Sequence, residues 1–351
     1  MSRATIRTIR TATPPERLTR DAWLAFADRI TPSEVSRALL ARLADRSEIE
    51  SRGAAAAGEA PFYADDAPPG TAARMRLWSQ AARAMSEDAC RSALAAAGVE
   101  PASITHLVTA SCTGFESPGI DAHLIDQLGL SRAVTRANIG FMGCHAAVNA
   151  LSVARNAAIA DPSARILVVC AEVCSAHFHY SARIDQLIAN TLFGDGCAAA
   201  IVEGAHHAAP TAPLLAATHS LHLAASAGEM AWAVGDHGFE MTLGARVPDI
   251  LQAEVGSWVA GMLAKHGLTV AEVGAWAVHP GGPRVIESVL ASLGLDARAG
   301  DTSRGILRAH GNMSSATLLF ILERLMHQCT PRPWVGLAFG PGLVGEMLVV
   351  R

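Results

Sequence analysis

The sequence predicts an α/β protein in which one unit is used twice, its two mixed sheets interleaved with helices as α/β/α/β/α layers. Three observations carry this. Ile166 to Val173 is a continuous apolar run, the pattern of a strand covered on both sheet faces. Strand-like and helix-like runs alternate along most of the chain. The string Phe193-Gly194-Asp195-Gly196 before a strand returns as Phe339-Gly340-Pro341-Gly342 before a strand. A length of 351 residues suits two such units, and 50% hydrophobic against 17% charged residues supports a large core.

In the first unit, Ile104 to Ala110 and Val134 to Phe141 read as strands, followed by a helix from Cys144 to about Ala160 that Asp161-Pro162 stops. Ile166 to Val173 is the next strand, Ile184 to Leu192 a helix, Gly194-Asp195-Gly196 a turn, and Cys197 to Val202 a strand. The second unit repeats the theme. Trp276 to Val278 is a strand, Arg284 to Leu293 and Ser314 to Met326 are helices, and Val335 to Phe339 and Glu346 to Val350 are strands around the Gly340-Pro341-Gly342 turn. The Ala/His/Pro-rich stretch Glu203 to Pro213 has little periodicity and marks the join, giving halves 1–208 and 209–351.

The net charge of −4 leaves no basic footprint for nucleic acid, and no apolar run approaches the length of a membrane span. Met1 to Arg20 lacks the apolar core of a signal peptide. The seven cysteines lie mostly in apolar runs and read as reduced thiols of a cytoplasmic protein; Cys170-x3-Cys174 lacks a second pair for zinc.

Three segments carry chemistry. Gly143-Cys144 stands where a strand ends and an Ala-rich helix begins, and unpaired N–H groups at a helix start favour thiolate over thiol. Such a thiolate is a nucleophile suited to a carbonyl. His279-Pro280-Gly281-Gly282-Pro283 presents an imidazole at a strand's end; alone it reads equally as a turn or core residue. Gly311-Asn312-Met313-Ser314-Ser315-Ala316 is a polar turn opening an apolar helix, where Asn312 alone reads as an N-cap or as a chemical group.

Taken together and in this order, Gly143-Cys144, Leu192-Phe193-Gly194-Asp195-Gly196, the His279 and Asn312 segments and Phe339-Gly340-Pro341-Gly342 resemble the type III polyketide synthases, the chalcone and stilbene synthase family of thiolase-like fold. The resemblance runs from about Val108 to the C-terminus. It implies that Cys144 takes an acyl group from an acyl-CoA starter, and that His279, as imidazolium, stabilises the thiolate. It also implies that His279 and Asn312 donate hydrogen bonds to malonyl-CoA as CO2 leaves, in iterative condensations closed to a pyrone, resorcinol or phloroglucinol-type product. No metal or redox cofactor is required, and a cytoplasmic homodimer is expected. A β-ketoacyl-carrier-protein synthase III is the rival reading.

The same resemblance assigns substrate-binding roles. Phe193 matches the gatekeeper between CoA tunnel and cavity, Gly340, Pro341 and Gly342 the loop shaping that cavity, and Ser314 a contact from the Asn312 segment. Cys112 falls where plant chalcone synthases carry Thr, His177 where a small Thr is usual, Met241 where a second Phe gates, and Trp232 where a Gly sets cavity width. These departures argue against a chalcone product. Arg284 could contact CoA phosphate or simply be an exposed helix-start Arg. His145, beside the nucleophile, is expected to be structural, because adjacent helix residues point about 100° apart.

Overall fold

The computed structural model of the protein describes residues 3–32, 35–57, 62–63, 67–223 and 226–351. The run that anchored the prediction forms the strand Arg165–Val173 at the centre of a seven-stranded sheet. It runs parallel to His106–Ser111, which in turn is parallel to Thr135–Gly140, and antiparallel to Asp195–Glu203. Its period-2 pleat explains why all but Glu172 of the residues from Ile166 to Val173 are apolar. Leu167, Val169, Ala171 and Val173 enter one core, whereas Ile166, Val168 and Cys170 enter another.

The second sheet has the order Ala275–Val278, Trp334–Gly340, Val344–Val350, Leu215–His222. Between the sheets lie the helices Ala146–Ala160 and Ala316–His327. Val148, Leu151, Leu318 and Ile321 share one core with Val168 and Ala200 of the first sheet and Ala338 and Leu348 of the second. The outer face of the first sheet is covered by the helix Thr71–Ala97, through Leu77 and Met85. That of the second is covered by Val247–Lys265 and Pro283–Ser292, through Leu251, Val255 and Ile286. The five layers are those expected.

Several element edges differ from expectation. Asp195 and Gly196 belong to the strand Asp195–Glu203, not to a turn. The strand tolerates the acid because its buried carboxylate accepts from the N–H groups of Ala55 and Ser175, each at 2.7 Å, and from Ser175 Oγ at 2.6 Å. The two chemical turns are also longer than the sequence suggests: the helices begin at Ala146 and Ala316, so Cys144 and Ser314 both precede them. A 27-residue helix at Thr71–Ala97 and a hairpin of Met230–Gly235 with Gly238–Leu243 were not anticipated.

Candidate active site

The nucleophile turn is built by backbone conformation. Strand Thr135–Gly140 ends, Phe141 and Gly143 take φ values of 64° and 73°, and the short turn Gly143–His145 leads into the helix. Only glycine fits at 143, since a Cβ there would run into Pro341 Cδ. Cys144 is left 7% exposed. Burial pushes its thiol up to about 12; the nearby Ser314 and Asn312 side chains and its own backbone N–H act the other way, and the nearby Glu172 carboxylate adds to the rise. Burial therefore opposes the helix start and favours the thiol over the expected thiolate.

Two side chains beside Cys144, Asn312 and Ser314, come from the other half, which also carries His279. Asn312 donates its backbone N–H to Leu192 O and accepts from Gly194 N–H, both at 2.9 Å, a short parallel bridge around Phe193. Its Oδ1 accepts the Ser314 N–H at 2.9 Å, which directs Nδ2 away from the turn. Asn312 thus serves as a local turn cap and also reaches Cys144; its Nδ2 is buried with no protein acceptor. His279 follows the strand Ala275–Val278 and donates its N–H to Leu337 O at 2.7 Å, on the strand against which the nucleophile turn packs. It is 1% exposed, and both ring nitrogens lack protein partners. Burial, reinforced by neighbouring His145, lowers it to about 3. No carboxylate offsets that desolvation, which favours the neutral ring over the expected imidazolium.

Six of the residues assigned to substrate, Cys112, His177, Phe193, Trp232, Met241 and Ser314, line one pocket. Trp232 and Met241 sit opposite each other in the hairpin. Trp232 stacks on Phe239 at 4.9 Å between centroids, and Phe239 on His177 at 4.2 Å. His177 has no nitrogen free for substrate: Nε2 donates to Thr113 O at 2.5 Å and Nδ1 accepts the Phe239 N–H at 3.1 Å. Cys112 Sγ lies 3.0 Å from Ser314 Oγ and 3.3 Å from Glu172 Oε1, and burial holds its thiol well above the usual range. It is a lining residue and not a second thiolate.

The remaining assignments fall elsewhere. Gly340 and Pro341 pack on the nucleophile turn, with Gly342 following at φ 78°. Arg284 is exposed, its guanidinium 3.9 Å from Asp249 Oδ1. Glu172, which sequence reasoning missed, is fully buried and accepts from Ser111, Cys112, Thr113 and Ser315. A carboxylate inside the apolar run Ile166 to Val173 is the signal that could have found it, since a buried acid needs several donors. Arg52, also missed, is buried beside Phe193 and donates to the carbonyls of Asn190, Thr191 and Phe193.

Comparison with known proteins places this geometry. The family model for the N-terminal domain of chalcone and stilbene synthases matches residues 1–206, and that for their C-terminal domain matches residues 214–351. The chain is 32% identical to 1,3,6,8-tetrahydroxynaphthalene synthase of Streptomyces peucetius subsp. caesius, over 98% of this chain and 92% of that protein. It is 35% identical to the alpha-pyrone synthesis polyketide synthase-like Pks18 of Mycobacterium tuberculosis, over 78% of this chain and 71% of that protein. The crystal structure of PKS-I from the brown alga Ectocarpus siliculosus superposes with a TM-score of 0.94 at 29% identity, covering 100% of this chain and 98% of that one. A nucleophile in one half meeting an asparagine from the other, on this five-layer frame, is accounted for by that kinship: the chain belongs to the chalcone and stilbene synthase family, the type III polyketide synthases.

Proposed function

We propose that the protein loads an acyl group from a CoA thioester onto Cys144 and extends it by repeated decarboxylative condensation with malonyl-CoA. One observation supports this above the others. The thiol, the amide of Asn312 and the imidazole of His279 are buried at the meeting of the two halves, and Asn312 Nδ2 and both His279 nitrogens have no protein partner. Buried polar atoms without partners are costly unless a substrate completes them. A neutral His279 is suited to take the Cys144 proton as sulfur attacks the thioester carbon and CoA leaves. The resulting imidazolium and the Asn312 amide then donate to the malonyl thioester oxygen. CO2 departs, the enolate attacks the acyl carbon on Cys144, and the chain is transferred to CoA, freeing the thiol for reloading. Each well-placed donor to such an oxyanion gives about 10²–10³ in rate.

The pocket walled by Phe193, Trp232 and Met241 receives the growing chain, which closes to a pyrone, resorcinol or phloroglucinol-type product. The working form is proposed to be a homodimer, since Phe115, Phe141 and Met142 expose apolar surface together, at 54%, 54% and 45%. All seven cysteines are unpaired, in keeping with a cytoplasmic protein. Among the described residues no helix is long and apolar enough to cross a membrane.

The test separates the steps. Cys144→Ala abolishes acyl loading from acyl-CoA, read by intact mass, yet retains CO2 release from malonyl-CoA. Asn312→Ala lowers that CO2 release about 10²-fold. Undiminished CO2 release in Asn312→Ala would overturn its role, and free acid as the sole product with malonyl-CoA present would overturn the condensation.

A further inference from the structure

His145, the residue after the nucleophile, is 3% exposed. Its Nδ1 lies 2.8 Å from Asn149 Oδ1, one helical turn further on. Asn149 Nδ2 donates to Glu346 Oε1 at 3.0 Å, and Glu346 also accepts from Ser220 Oγ at 2.8 Å. The carboxylate settles which way the amide points: only its NH2 can face Glu346, so its oxygen faces the ring. Nδ1 of His145 therefore carries the proton, and Nε2 is bare. The opposite edge of the ring is seated on Gly340, where a Cβ would lie 2.5 Å from Cδ2 and 3.1 Å from Nε2.

This chain of side chains crosses between the halves. His145 and Asn149 belong to the nucleophile turn and its helix, whereas Ser220 and Glu346 are cross-strand neighbours in the second sheet. The reaction centre is divided the same way, with Cys144 from the first half and Asn312, Ser314 and His279 from the second. Where the halves lock beside Cys144 therefore sets where the thiol stands relative to the amide. An apolar side chain at 145 would fill the space without desolvating three polar groups. A buried chain with every member bonded instead allows one geometry.

We propose that His145 is a positioning residue for Cys144. Held through Asn149 to Glu346 and seated on Gly340, it fixes the nucleophile turn against the half that carries Asn312 and His279. The proposal rests on the reading of Cys144 as acyl acceptor, and it explains why position 340 must lack a Cβ.

Two substitutions divide the ring's duties. His145→Phe keeps a ring on Gly340 and removes the Nδ1 donor; His145→Asn restores an N–H near the Nδ1 position and removes the rest of the ring. The readouts are acyl loading by intact mass, kcat and KM for malonyl-CoA, and the rate of iodoacetamide labelling at Cys144 by peptide mass. His145→Phe is expected to lower loading and kcat about tenfold or more, with KM for malonyl-CoA unchanged within about twofold, because a small misplacement of a reacting group costs rate before affinity. Its labelling rate changes as well, and His145→Asn recovers most of the lost rate. Glu346→Gln, which frees the Asn149 amide to turn over, gives a smaller loss of the same kind and serves if His145→Phe does not fold. Loading within twofold of wild type in both His145→Phe and Glu346→Gln would overturn the proposal, as would a loss in His145→Phe that His145→Asn does not recover. Failure of the wild-type protein to load any acyl-CoA, with labelling at Cys144 still responding to position 145, would instead sink the acyl-acceptor reading and leave the positioning intact.

Discussion

Glu172 is where the site is most exposed to a single substitution. Its Oε2 accepts the N–H groups of Cys112 and Thr113, each at 3.1 Å, and the hydroxyls of Thr113 at 2.6 Å and Ser111 at 3.2 Å. Its Oε1 accepts the Cys112 thiol at 3.3 Å and the Ser315 hydroxyl. Hydroxyls and thiols can rotate to become acceptors, but the two backbone N–H groups cannot. In Glu172→Gln the amide oxygen can take the Oε2 place and keep both, so the loss is that of a charged acceptor for a neutral one, about 1–2 kcal/mol. In Glu172→Leu both N–H groups are orphaned in the core at about 1–3 kcal/mol each, roughly 2–6 kcal/mol together. Urea denaturation should therefore rank wild type above Glu172→Gln above Glu172→Leu. The same substitution to Gln removes a charge that pushes the Cys144 thiol up, so the midpoint of its iodoacetamide rate profile should move to lower pH. Equal destabilisation by Gln and Leu, or a profile moving to higher pH, would refute the assignment of Glu172 as an acceptor hub acting on the nucleophile.

Two further outcomes follow from burial. His177 and His279 are both lowered by desolvation to about 3, below the 6.5 of an exposed ring, so the unfolded chain binds protons that the native one refuses. Their contribution is intact above pH 6.5 and is lost as pH falls toward 3, about 2 kcal/mol each by pH 5. Asp195, raised by burial to about 6, opposes them and returns about 1 kcal/mol over the same interval. His310, lowered by burial to about 4, acts in the same direction as the two histidines, so urea midpoints should fall between pH 7 and 5, and a flat or rising profile would count against neutral imidazoles. Gly143→Ala combines a positive φ with a clash on Pro341 and should cost about 2–5 kcal/mol in the same assay, together with loss of acyl loading. A folded, fully active Gly143→Ala protein would show the nucleophile turn to be built otherwise.

What the sequence revealed depended on how local the signal was. The strand Arg165–Val173 and the helix Ile184–Leu192 were readable because apolar runs and periodicity are local. The helix Thr71–Ala97 escaped notice because its buried stripe is largely small, with Ala82, Ser86, Ala89, Ala93 and Ala97, so hydrophobic contrast is weak. Cys144, His279 and Asn312 could be picked out from turn chemistry and resemblance. Their protonation could not, because it is set by how deeply distant segments bury them. Glu172 hid, and the bonding of His145 could not be read, for a related reason: their partners lie far along the chain, at Ser315 and, through Asn149, at Glu346.

The bridge between Phe193 and Asn312 ties selectivity to chemistry. Because Asn312 clasps the backbone on both sides of Phe193, at Leu192 and Gly194, and Arg52 donates to the neighbouring carbonyls of Asn190, Thr191 and Phe193, a shift of that main chain drags the carboxamide with it. Moving the backbone at residue 193 would detune bond formation. Guest preference is freer to drift through the hairpin that carries Trp232 and Met241, whose strands pair with each other and with neither large sheet. Diversification of what this enzyme accepts can thus proceed on one wall while the opposite wall stays fixed by the reaction itself.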